Sequence, residues 1–91
     1  MSISINKQTD DVFVVAFADS IITTHAVTVT DQSLTDLTDS NVTKTPLLGF
    51  SFNFLLEREP NTSILLSFDV NVISKYFSDY RDEVRRWCNA G

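Results

Sequence analysis

LLGFSFNFLLEREPNTSILLSFDV, residues Leu47 to Val70, is the stretch on which the reading of the fold turns, two apolar runs joined by a polar segment. In the first run Leu48, Phe50, Phe52, Phe54 and Leu56 alternate with Gly49, Ser51, Asn53 and Leu55, the period of a strand that buries one face. In the second, Ile64, Leu66, Phe68 and Val70 share one face and Ser63, Leu65, Ser67 and Asp69 the other. The pattern predicts a long hairpin that Pro46 opens, with Gly49 as a bulge and Glu57 to Asn61 as its turn.

Working outward toward the N-terminus, Val12 to Ala18 is apolar at every position, which fits a strand covered on both faces and marks the centre of a sheet. Ser2 to Ile5 alternates briefly and reads as a short edge strand. Asp19-Ser20 separates the central strand from Ile21 to Thr30 and predicts a tight hairpin. The core face of that third strand is expected to carry Ile21, Thr23, His25, Val27 and Val29. Val12, Val14 and Ala16 point opposite to Phe13, Val15 and Phe17, so one of these two sets needs a cover other than the helix layer. Barrel-like closure and an interface with another protein both satisfy that need.

Asp31 to Thr45 is rich in residues that bond their own backbone in turns and reads as an acidic loop carrying Asp31, Asp36 and Asp39, with either one helical turn or a short strand around Leu34 and Leu37. Toward the C-terminus, Ile73, Tyr76, Phe77, Tyr80, Val84, Trp87 and Cys88 recur every three or four residues and predict one helix face, with Asp69 or Asn71 as its cap. The expectation is a single α+β domain over 1–91, a mostly antiparallel sheet of about five strands with one C-terminal helix packed on one face.

Composition narrows the function classes. A net charge of −5 and a pI near 4.5 leave no basic excess to displace counterions, so neither direct nucleic-acid binding nor an anionic membrane surface is expected. One cysteine, Cys88, forms no internal disulfide, and no long apolar or arginine-rich leader is visible, so the expectation is a reduced, cytoplasmic protein. His25 is the lone histidine and has no second ligand for a metal or partner for a nucleophile. Asp31, Asp36, Asp39 and Asn41 are hard oxygen donors, but without the spacing or the glycine of an EF-hand loop they read better as a solvated acidic loop. No catalytic set, metal site or cofactor site is predicted.

Asp11 to Val27, Thr43 to Gly49, Ile64-Leu65-Leu66 and a final helix ending in Trp87 together resemble the small proteasome assembly chaperones, although the long helix those proteins carry after the Leu-Leu-Gly region has no room here. That resemblance implies a dimeric scaffold without catalysis. A tryptophan-bearing C-terminal helix after a run of strands is also similar to pleckstrin-homology-like domains, but the chain is short for seven strands and lacks a basic lipid-binding loop. The reading that results is a non-enzymatic protein-binding module, an adaptor or stoichiometric inhibitor. It would use an apolar sheet face and the acidic loop, with a basic protein surface or a second copy as partner. The rival is a small-molecule-binding protein or small enzyme with a pocket between sheet and helix, lined by His25, Tyr76 and Tyr80.

Overall fold

A computed structural model describes residues 2–18, 20–39 and 42–90. Three strands, β1 (Ser2–Lys7), β2 (Val12–Ala18) and β3 (Ile22–Thr28), form an antiparallel meander, and a three-residue β4 (Ser67–Asp69) pairs in parallel with the free edge of β3. Among the described residues four α-helices accompany this four-stranded mixed sheet: α1 (Asp31–Thr38), α2 (Lys44–Leu56), α3 (Ile73–Tyr76) and α4 (Tyr80–Ala90). The fold is α+β, but the antiparallel sheet of about five strands with one C-terminal helix is corrected.

The decisive correction is α2. The run read as the first arm of a hairpin is a helix that buries Leu47, Leu48, Ser51, Phe52, Phe54 and Leu55. Those positions cover close to half of a helical circumference, and half-buried Phe50 and Leu56 extend the apolar surface further. With apolar groups on nearly every side, the 3.6-residue period vanishes and the accidental alternation of three phenylalanines stands in its place. Pro46 falls in the first turn, where its missing N–H costs nothing. The topology imposes the same answer, because parallel strands cannot be joined by a tight turn and the crossover from β3 to β4 must span residues 29–66.

The segment after it is extended only at Ser67–Asp69, so the second arm of the predicted hairpin is mostly loop. A 3-10 turn at Asn61–Ser63 leads into it, and a second at Val70–Val72 leads out. Asp69 caps that second turn by accepting from the Asn71 N–H at 2.9 Å. The expected C-terminal helix is two helices, broken where Phe77 is extended, with α4 restarting after Asp79. The predicted acidic loop is also helical. Thr30 caps α1 by accepting from the Ser33 N–H at 3.1 Å, and Asp39 closes it in the left-handed conformation that a short polar side chain tolerates.

The sheet's two faces differ. Phe13, Val15, Phe17, His25, Val27 and Val29 are buried beneath the helices, and Ile3 and Ile5 of β1 pack against the same cluster. Ile21, expected on this face, is exposed. The opposite face carries Val12, Val14 and Ala16, which are half-buried and lie outside the core cluster. One layer of helices on one layer of sheet is thus the architecture, not a barrel.

Candidate functional site

Three sequence-predicted residues were expected to line one pocket, and the structure separates them. His25 is fully buried, its ring 5.4 Å from that of Phe52. Its Nδ1–H donates to the Leu65 carbonyl at 2.8 Å, which leaves Nε2 to accept from the Thr23 hydroxyl at 2.9 Å. Thr23 Oγ1 in turn accepts from Asn61 Nδ2 at 2.9 Å, and the same amide donates to the Ile21 carbonyl at 2.9 Å. The direction of every bond is fixed by the carbonyl at one end. These bonds tie the loop before β4 to β3, and both ring nitrogens are occupied.

Tyr80 is also fully buried, at the start of α4, with its ring edge against Phe54 at 5.2 Å. Its hydroxyl lies 2.6 Å from Ser51 Oγ, and because Ser51 donates to the Leu47 carbonyl at 2.7 Å, Tyr80 is the donor of the pair. Burial pushes the phenol up to about 12, although the bond to Ser51 opposes the shift. Tyr76, by contrast, is 69% exposed and borders a cleft of about 320 Å³. Leu55, Ile64, Phe68, Ile73 and Phe77 form its apolar walls, with Glu59 and Ser63 among the polar groups. Neither His25 nor Tyr80 reaches it. Glu59 is half-buried, and its carboxylate has no hydrogen bond or ion pair among the described residues. Its reading as a turn residue held no hint of this, because the cleft forms only when the segment after α2 folds back so that α3 lies beside the end of α2, all within residues 55–77.

The acidic residues are distributed along α1 and held by partners. Asp31 meets Lys44 Nζ at 3.0 Å, Asp36 accepts from Gln32 at 3.0 Å, and Asp39 pairs with Arg85 at 3.1 Å. Lys44 also reaches Asp11 at 3.2 Å and the Asp10 carbonyl at 2.6 Å, joining the β1–β2 turn to the starts of α1 and α2. Desolvation works against its ammonium, but the bonds and charges of Asp31 and Asp11 outweigh it and hold Lys44 above the usual lysine value. Burial, with Asp39 adding to it and Arg85 opposing, pushes the Cys88 thiol up and away from the reactive thiolate. Asp19 of the predicted turn and Asn41 of the oxygen-donor set lie outside the described residues. Among the described residues, no three His, Cys, Asp or Glu side chains gather in a way that could hold a metal ion. Nor is any described helix long and apolar enough to cross a membrane.

The open sheet face is the other candidate. Strand register places Ser2, Ala18 and Ile22 in one cross-strand row, and Ser4, Ala16 and Thr24 in the next. Asn6, Val14, Ala26 and Ser67 form the third row, and Val12, Thr28 and Asp69 the fourth. Asp69 is the lone charge in these rows, and its carboxylate is engaged as a cap. The β2 residues form an unbroken apolar stripe down the middle, flanked by Ser2, Ser4 and Asn6 on one side and by the exposed Ile22 with Thr24, Ala26 and Thr28 on the other. No protein-family model matches the chain, and no curated protein or solved structure matches it.

Proposed function

We propose that the chain is a non-catalytic protein-binding module that self-associates through its open sheet face. One observation carries this reading: a face of four cross-strand rows holds a single charge in a chain with 19 charged residues out of 91, counting 7 basic and 12 acidic. A sheet face meant for water ordinarily alternates polar side chains with its buried set, and here the middle strand supplies none. A face whose one charge lies in its outermost row needs little complementary pattern, so it suits a two-fold contact in which each copy presents the same rows. The occupied nitrogens of His25 and the capped hydroxyl of Tyr80 also leave neither group poised for acid–base work.

The area sets the strength. Three strand spacings of about 4.8 Å by three row spacings of about 6.8 Å give roughly 300 Å² per partner. Stable interfaces bury about 800 Å² per partner, so the association is weak and follows concentration. Light scattering across a dilution series tests it. The mass is expected to rise from 10.3 kDa toward twice that value as the protein is concentrated. Val14→Glu, at the centre of the stripe, should hold the mass at the monomer value with the circular-dichroism spectrum unchanged. A monomer at every concentration, or a dimer indifferent to Val14→Glu, would overturn the reading.

A further inference from the structure

The cleft beside α3 is distinct from the open sheet face, and its chemistry is asymmetric. Its walls are aliphatic and aromatic, and its volume of about 320 Å³ falls at the small end of the range of small-molecule sites. Glu59 lines this cleft, and also a neighbouring one beside Phe17 and Leu56, with no cation to satisfy it among the described residues, while Asp31, Asp39 and Asp79 each have a basic partner. An unpaired carboxylate beside apolar walls offers a cation that enters the cleft a counter-charge for which no other described group competes. We infer that the cleft between the end of α2, the loop before β4 and α3 binds a small organic amine, its apolar body against Phe68, Ile73 and Phe77 and its ammonium on Glu59. Tyr76 and Phe77 add aromatic groups beside which a cation is attracted rather than merely tolerated. The net charge of −5 acts in the same direction, raising the local concentration of cations and repelling anions.

Three probes with one apolar body separate the parts of this inference: 4-phenylbutylamine, the neutral 4-phenylbutanol and the anionic 4-phenylbutyrate. Titrated against the labelled full chain and followed by NMR, the amine is expected to shift signals of Leu55, Ile64, Ile73 and Phe77. It should bind about fivefold more tightly than the alcohol, the size of a half-exposed ion pair, with the acid weakest. Glu59→Gln should erase the preference for the amine and leave alcohol binding as it was. Leu65→Trp, which fills the cleft from an exposed position, should reduce all binding. Equal binding of amine and alcohol, an amine preference that survives Glu59→Gln, or shifts that fall elsewhere would each overturn the inference.

Discussion

Helices α2 and α4 have similar lengths and opposite characters. In α2 six positions are buried, no acidic or basic residue favours either end, and the apolar surface wraps most of the helix. In α4 the buried groups Tyr80 and Val84 and the half-buried Trp87 and Cys88 lie along one stripe, while Arg81, Asp82, Arg85 and Arg86 face water. Position in the fold accounts for the difference. The sheet lies on one side of α2, where Phe52 meets His25 and Phe68, and α4 lies on another, where Phe50 stacks on Trp87 at 4.8 Å. Helix α4 is an outer element that has one neighbour layer to satisfy. Amphipathic period is therefore a signature of the boundary with water, and a helix away from that boundary loses it.

The contrast is broken most forcefully at Phe52. Removing its ring in Phe52→Ala takes support from His25 and Phe68 at once and should cost about 3–5 kcal/mol, read as a fall in the urea midpoint. That is a large share of the stability of a small domain, so the variant is expected to be partly unfolded at 37 °C. The matched change Arg81→Ala, on the wet side of α4, should stay within about 0.5 kcal/mol.

Where the two helices meet, Tyr80 couples stability to alkaline pH. Its phenol ionises at about 12 in the folded chain against 10.0 for an unperturbed group, so above pH 10 the unfolded chain loses a proton that the folded chain keeps. Stability must then fall between pH 10 and about 12, by about 2–3 kcal/mol in total. Tyr80→Phe should flatten that fall while costing only about 1 kcal/mol at pH 7, where Ser51 loses one donor. A residual slope is expected from Lys44, whose raised value means its contribution is lost as the pH climbs through it. Urea midpoints of both proteins at pH 7, 10 and 11.5 measure the difference.

A small effect of opposite sign identifies α2 most cleanly. A Cβ added at Gly49 meets nothing within 4 Å, and its φ lies outside the left-handed range, so Gly49→Ala should stabilise the protein by about 0.5–1 kcal/mol through helix propensity alone. A bulged glycine of a hairpin would give the opposite sign. A rise of the melting temperature by several degrees is the expected outcome.

Much of the sheet is legible in the sequence because its pattern is local. Val12–Ala18 reads as central strand and His25, Val27 and Val29 as core, and the meander joins neighbours in the chain. What is not legible depends on distant partners. Alternating phenylalanines in a helix buried on two sides mimic a strand, and only Thr43 followed by Pro46 hints at a helix start. The break at Phe77 is hidden because Ile73 and Tyr80 each keep the spacing of one face. At the candidate sites, Tyr76 falls on the cleft that His25 and Tyr80 do not reach, and Glu59 acquires its character only when residues 63–77 fold back against the end of α2.

The hydrogen-bonded chain through His25 has a consequence for the order of assembly. Strand β4 contributes only three residues of ladder, too few to repay the entropy of closing the long crossover that precedes it. The meander of β1, β2 and β3 closes short loops and can form first, presenting Thr23 as a waiting acceptor and His25 as a waiting donor. Docking of Asn61 and Leu65 onto that pair then fastens the crossover before the ladder zips. The last strand is thus recruited by side chains, and its amides should exchange with solvent sooner than those of the meander.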